Sequence, residues 1–195
     1  MNRKNILLLI VLILAIVSVV KIAEFFKTQV FEGDATKFVL EDLNSKYPGA
    51  DIEIISIQRM TNEQGGNYFE IKTKVTKNQY TPCPERMHIF YNYPTQNFVP
   101  RQPEIITANC RVCTDSHSNC ILVFPEEAII ASHTFAGTEA VAEYLKSRAD
   151  ARAEITETDG GWTVRWDAPD AAYYYVVELL KNGSVQSVKK IDKQG

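Results

Sequence analysis

Four cysteines and a histidine are the residues of this sequence whose types and spacing could do chemistry. They are Cys83, Cys110, Cys113, His117 and Cys120. The last four lie within "ANCRVCTDSHSNC", residues 108–120, while the first lies upstream in "TPCPER". Thiolates and imidazole bind zinc, closely spaced thiols can act as a redox pair, and cysteines in an oxidising compartment form disulfides.

A zinc site is one interpretation of the spacing C-x2-C-x3-H-x2-C. The spacing is similar to a zinc knuckle, although its last two gaps are shorter. Cys83 could replace His117 and give a four-thiolate set, because tetrahedral zinc accepts either ligand. A zinc ribbon would have two C-x2-C pairs, and this sequence has one. The alternative zinc ligands are therefore the four cysteines, with His117 as a substitute.

A redox pair at Cys110 and Cys113 is disfavoured by the residues that follow. Such a pair should open a helix, whose N-terminus lowers the thiol pKa. "TDSHSNC" has no helical periodicity.

The N-terminus decides between zinc and disulfides, because it predicts the compartment. Arg3 and Lys4 precede an apolar run, residues 6–20, and continuing the helix to residue 26 gives about 20 residues, the length that spans a bilayer. Small residues suited to signal cleavage are poorly placed. We therefore predict an uncleaved signal-anchor transmembrane helix over residues 1–27, a single pass through the cell membrane, a cytoplasmic N-terminus and a C-terminal domain outside.

Charge excludes one class of partner. Beyond residue 27, 17 Lys and Arg stand against 23 Asp and Glu, which leaves a formal net charge of −6. An acidic domain without a basic cluster repels phosphate backbones, so we expect no nucleic-acid binding.

Outside the cytoplasm an even set of four cysteines predicts two disulfides with three possible connectivities. We expect all four to be oxidised, with Cys83 joined to one member of the 110–120 cluster. Pro82 and Pro84 stiffen the chain around Cys83, and such a bridge would tie a loop of the first lobe to the connector. No metal or other cofactor is then required.

Two similar runs of patterns predict an α+β fold. Each run is a helix, a strand, a Gly-Gly turn and two further strands: residues 34–107 and 135–195. In "YFEIKTKV" Phe69, Ile71 and Val75 alternate with charged residues, which is typical of a half-buried strand. "KNG" predicts a two-residue hairpin. We expect two lobes, each a helix on an antiparallel sheet, joined by a Cys-rich connector over residues 108–134.

The second lobe resembles the PepSY and cystatin-like group of small domains. "AEYLKSRADARAEITETDGGWTVRWD" and "YYYVVELLKNGSVQSV", within residues 138–191, carry the resemblance. The first lobe matches in element order alone, and its "TKNQYTPCPE" loop departs from the pattern. The resemblance implies an extracytoplasmic domain that binds or restrains other proteins, often proteases, and it implies no residue-level site.

Function is predicted as a non-enzymatic, membrane-anchored binding or scaffold protein that docks or regulates a protein partner. Tyr91, Tyr93, Phe98 and Arg101 are the candidate binding surface, since exposed aromatic and Arg side chains suit protein interfaces. The alternative is that half of the aromatic rings in this stretch fill the core of the first lobe. Asn182 begins a glycosylation sequon. The alternatives are a subunit of a larger membrane or surface assembly, with the apolar helix as its packing element, and a zinc-binding protein or enzyme built on the cysteines.

Overall fold

The computed structural model describes residues 10–21, 30–95, 101–112 and 120–193. Its helices are α1 over residues 10–21, α2 (Glu32–Lys46), α3 (Pro125–Thr134) and α4 (Glu139–Ser147). Its strands are β1 (Asp51–Thr61), β2 (Asn67–Lys77), β3 (Glu85–Tyr93), β4 (Glu104–Thr107), β5 (Arg152–Thr158), β6 (Gly161–Asp167), β7 (Tyr173–Leu180) and β8 (Val185–Asp192). The strands form two antiparallel sheets of four, ordered β1-β2-β3-β4 and β5-β6-β7-β8.

The predicted transmembrane anchor is contradicted. None of the helices in the described parts of the chain is long and apolar enough to cross a membrane. In α1 the described helix has twelve residues and is therefore about 18 Å long, short of the roughly 30 Å of a hydrocarbon core. The other residues of the predicted 1–27 anchor, 1–9 and 22–27, lie outside the described residues. The predictions of a signal-anchor, of membrane localisation and of a single-pass topology with a cytoplasmic N-terminus are wrong on this finding.

The first lobe packs α2 on one face of the β1–β4 sheet. Ala35, Val39 and Leu43 recur every four residues, so they form one helical face, and all three are fully buried. They meet the inward side chains of β2, Phe69, Ile71 and Val75. Because alternate strand residues point to opposite faces, the residues between them point away from α2. That second face, called here the outward face, holds the candidate site.

The second lobe packs α3 and α4 on one face of the β5–β8 sheet. Trp162, Val164 and Trp166 alternate along β6 and all point into this core. Each buried indole N–H has a partner, since Trp162 donates to the Leu122 carbonyl at 3.0 Å and Trp166 donates to the Ser132 hydroxyl at 2.8 Å. These bonds fix the ring orientations, and they attach α3 and the segment before it to the sheet.

Helix α3 is buried on several sides because it lies between the lobes. Ala128, Ile129 and Ala131 belong to the core of the second lobe, whereas Glu126 reaches the first sheet. The region predicted as a loop-rich connector, 108–134, thus ends in a helix that contributes to one core and contacts the other lobe.

The predicted two-residue "KNG" hairpin is wrong in its length, because β7 ends at Leu180 and β8 begins at Val185, but the turn between them does pass through Gly183. Its φ is +79°, in the left-handed region that favours glycine. A Cβ here would also lie 2.8 Å from Phe135 Cε2 and 3.2 Å from Cys120 Sγ, so two separate constraints require glycine.

We expect Gly183→Ala to lower the free energy of unfolding more than Gly65→Ala. Gly65 has the same φ of +79°, but a Cβ added there would have no atom within 4 Å. Gly65→Ala should cost about 1 kcal/mol for the backbone alone, and Gly183→Ala a further 1–3 kcal/mol or so for the collision with Phe135. Denaturant unfolding of both variants measures the difference, and equal losses would refute the role of Phe135.

Candidate functional site

A disulfide between Cys83 and Cys110 closes the end of the first lobe. The two residues are 27 apart in sequence and their Cα atoms are 4.7 Å apart. Cys120 is also disulfide-bonded, and no described cysteine is free. Cys113 and His117 lie outside the described residues. Because Cys83, Cys110 and Cys120 carry no free thiolate, the alternative four-thiolate zinc set is incompatible with this arrangement, and the described residues form no other cluster of metal-ligating side chains.

Cys83 lies in a segment that we call the docking loop, residues 78–84, between β2 and β3. Two of its carbonyls accept hydrogen bonds from the second lobe. The Tyr80 carbonyl accepts from the Ala153 N–H at 2.9 Å, and the Pro82 carbonyl accepts from His133 Nε2 at 2.7 Å. The disulfide therefore constrains the loop that joins the first lobe to β5 and α3.

The second contact between the lobes is a buried ion pair. Glu126, at the start of α3, is 2% exposed and Arg86, in β3, is 7% exposed. Arg86 Nη1 donates to Glu126 Oε2 at 2.9 Å, and the Thr76 hydroxyl donates to Oε1 at 3.0 Å. Both carboxylate oxygens thus have partners from the first sheet. Removing one member of such a pair leaves an uncompensated buried charge, which costs about 3–5 kcal/mol.

The polar chain continues from Arg86 towards the surface. His88 Nε2 lies 3.4 Å from Arg86 Nε and 3.3 Å from Nη2, and its Nδ1 lies 3.1 Å from Glu104 Oε2. Lys72 Nζ lies 3.3 Å from the same Glu104 oxygen. The Phe124 ring packs over this chain, 3.9 Å from the Arg86 guanidinium carbon and edge-on to the His88 ring. Residues of both lobes therefore enclose His88.

These groups hold the lobes together and leave no base facing an open site. A carboxylate bound to one histidine nitrogen can orient the other nitrogen as a general base. In His88 that other nitrogen is Nε2, and it faces the Arg86 guanidinium. Ser132 and His133 are adjacent in sequence and do not form a nucleophile–base pair. The Ser132 hydroxyl is buried, donating to the Ile129 carbonyl and accepting from Trp166, while His133 bonds the docking loop.

Beyond the buried chain, the outward face of the first sheet carries an Arg–aromatic stack. The guanidinium carbon of Arg101 lies 3.6 Å from the centroid of the Phe90 ring, and Lys72 Nζ lies 5.5 Å from it. Phe90 is half-buried and Arg101 is exposed. Among the described residues Arg101 forms no ion pair, whereas Lys72 is shared with Glu104. We call Phe90, Arg101 and Lys72 the stacked surface.

The predicted binding residues are divided between the two faces of the sheet. Tyr91 and Tyr93 point towards α2, where the Tyr91 hydroxyl donates to Asp42 Oδ2 at 2.6 Å and Tyr93 packs on the Phe38 ring. Burial and the Asp42 carboxylate raise the pKa of Tyr91 well above its ordinary value. Arg101 lies on the opposite face, and Phe98 lies outside the described residues. The structure therefore does not bring Tyr91 and Tyr93 together with Arg101.

Sequence reasoning did not select Phe90, Arg86 or Glu126 as site residues, although a local signal for the placement of each one exists. Period-two alternation along β3 puts Arg86, His88 and Phe90 on one face once Met87 and Ile89 are assigned to the core. Proline followed by two glutamates in "FPEEAI" is a helix-start signal, which would have placed Glu126 in a first turn. No local signal pairs Glu126 with Arg86, because they are 40 residues apart.

Two further features lie at the far end of the second lobe. Asn182 is exposed in the β7–β8 turn, where its Oδ1 accepts from the Ser184 N–H at 3.0 Å; its glycosylation stays a prediction. Beside it is an open groove of about 560 Å³. The described residues that line the groove include Thr134, Phe135 and Val185, and none of them is charged.

No known protein family, curated protein or solved structure matches this chain. The geometry of its own residues is therefore the basis for a functional proposal.

We expect the disulfide to contribute strongly to stability. Replacing both Cys83 and Cys110 by serine should lower the free energy of unfolding by about 3–4 kcal/mol in the chain-entropy model, for a closed loop of roughly this length. The amide of Ala153 should also lose protection from hydrogen exchange, because its acceptor is in the docking loop. Unchanged stability and unchanged Ala153 protection would show that the loop holds its position without the bridge.

Proposed function

We propose that this chain is a non-enzymatic protein-binding module that docks a partner carrying exposed carboxylates on the stacked surface. The observation that carries the proposal is Arg101, an exposed guanidinium whose central carbon lies 3.6 Å from the Phe90 ring centroid and which has no ion-pair partner among the described residues. Contact with the ring restricts the motion of the guanidinium before a partner arrives, which reduces the entropy cost of binding. Arg and aromatic side chains are also enriched among the residues that dominate interface energies.

The surroundings of Arg101 support a carboxylate as the ligand group. A guanidinium presents parallel donors that match the two oxygens of a carboxylate. Lys72 adds a second cation at the same ring, and the Phe90 ring supplies apolar area beside both. The sheet beneath them is rigidly held, since its other face packs on α2 and its far end is fixed by the buried ion pair.

Two sequence-based expectations bear on the proposal. The resemblance of the second lobe to PepSY and cystatin-like domains favours a role in binding or restraining another protein, and the disulfide favours an oxidising compartment. The alternative of an assembly subunit packed through its apolar helix stays a prediction; the large apolar side chains of α1 are 49–66% exposed.

Charge reversal of Arg101 tests the proposal. Full-length chain, Arg101→Glu, Arg101→Lys and Lys37→Glu would each be immobilised and used to capture proteins from the cells that produce the chain, with quantitation by mass spectrometry. Lys37 is a matched control because it is an exposed cation on α2, on the other side of the first sheet. We expect a partner whose capture falls at least about tenfold with Arg101→Glu, equivalent to about 1.4 kcal/mol.

The same partner should be retained by Lys37→Glu and only partly by Arg101→Lys, because lysine keeps the charge and loses the planar stack. Capture of the retained partner should also weaken as salt is raised. Identical capture by wild type and Arg101→Glu would refute docking at the stacked surface.

A further inference from the structure

Both described histidines lie on the contact between the lobes. His88 is 2% exposed, and it lies on the outward face of β3 beneath Phe124. His133 lies in α3 and donates to the docking loop. The sequence has three histidines, and the third, His117, lies outside the described residues. This placement makes the lobe contact responsive to the one side chain that ordinarily titrates near neutral pH.

The contacts of His88 require its neutral form. A guanidinium has donors only, so the His88 Nε2 that faces Arg86 must accept a hydrogen bond. The proton of the ring then resides on Nδ1, which donates to Glu104. One neutral tautomer fills both roles, and the protonated ring cannot, because its Nε2–H would point at the N–H groups of Arg86.

The charges around His88 do not offset a second cation. They are Arg86 on β3, Lys72 and Lys74 on β2, Glu104 on β4, and Glu126 and Glu127 on α3. Both oxygens of Glu126 bind Thr76 and Arg86, and Glu127 binds the backbone N–H groups of Val123 and Phe124. Lys74 is held by Asp51 and Glu53. Glu104 is the remaining carboxylate that could offset the charge of a protonated His88, but its side chain is 48% exposed and also pairs with Lys72.

We propose that the contact between the lobes is an acid-sensitive latch: protonation of His88 turns Nε2 into a donor that faces Arg86, and the start of α3 separates from β3. Separation is the available response because the Phe124 ring covers both Arg86 and His88. Neither side chain can move away from the other without displacing Phe124. The latch does not depend on what the stacked surface binds.

The pKa values of both described histidines are shifted in the direction that the latch requires. Burial is the largest cause that lowers the pKa of His88, and Lys72 and Arg86 lower it further, against the opposing effect of Glu104. Burial lowers the pKa of His133 in the same direction. Below about pH 6.5 the unfolded or opened chain takes up a proton that the closed form resists. The closed form therefore loses stability as the pH falls from about 6.5 to the native pKa, by at most about tenfold per pH unit for each histidine.

Amide exchange of the intact chain tests the latch. The Ala153 N–H bonds the Tyr80 carbonyl across the lobe contact, whereas the Leu122 N–H bonds the Lys181 carbonyl within the second lobe. Dividing the protection factor of Ala153 by that of Leu122 cancels the general pH dependence of amide exchange. We expect the ratio of Ala153 to Leu122 protection to fall on the order of tenfold between about pH 7.5 and about pH 5.5.

His88→Gln supplies the control, since a glutamine amide can accept from Arg86 and donate to Glu104 without titrating. In this variant the ratio should change little, while His133→Gln should retain most of the wild-type fall. In the wild-type chain the fall should begin near pH 6.5 and level off at the pH where the His88 ring, followed by NMR, titrates in the closed form. A constant ratio in the wild type, an equal fall in His88→Gln, or a His88 ring that titrates at or above about pH 6.5 would overturn the latch.

Discussion

The buried carboxylate of Glu126 joins the two lobes. An ionised carboxylate removed from water is costly unless donors surround it. Its donors here, Arg86 and Thr76, belong to the first sheet, whereas Glu126 itself begins the helix that packs in the core of the second lobe. Separating the lobes would leave Arg86 and Glu126 without each other, so the two sheets act as one body while this pair is intact.

The position of the ion pair also divides the outward face of the first sheet. At the Arg86 end, Phe124 and α3 cover this face. His88, two residues further along β3, is also enclosed, whereas Phe90, the next residue on the same face, is half-buried. The stacked surface therefore begins where the lobe contact ends. Glu104 belongs to both, because it pairs with His88 on one side and with Lys72 on the other. A proposed docking surface and a proposed acid-sensitive contact thus share one short polar chain.

Local patterns predicted the parts of this fold that depend on neighbours in sequence. Alternation in β2 gave the correct buried face, and "KNG" gave the position of the β7–β8 turn although not its length. The patterns failed for α3, whose apolar run has little amphipathic character because the helix is buried on several sides. They failed for β4 as well, because a strand of four residues is too short to show a clear alternation of apolar and polar residues. The anchor prediction is contradicted because none of the helices in the described residues is long and apolar enough to cross a membrane.

The candidate site was predictable only in part, for a related reason. Arg101 and the neighbouring aromatics could be recognised as binding residue types, and alternation along β3 separates the rings into two groups, but which group is covered by α2 depends on the packing of that helix. Tyr91 and Tyr93 proved to face the helix, and Phe90, between the β3 core positions, proved to face Arg101. The partners of Glu126 depend on the docking of one lobe on another, which no local signal contains.

A double-mutant cycle on Arg86 and Glu126 measures how strongly this ion pair joins the lobes. Arg86→Met, Glu126→Leu and the double variant would be compared with wild type by denaturant unfolding at neutral pH. If the pair joins the lobes, each single change should cost about 3–5 kcal/mol, and the double variant should cost at least about 2 kcal/mol less than the sum. Single costs that add to within about 0.5 kcal/mol would contradict the account, because they would mean that the two charges do not depend on each other.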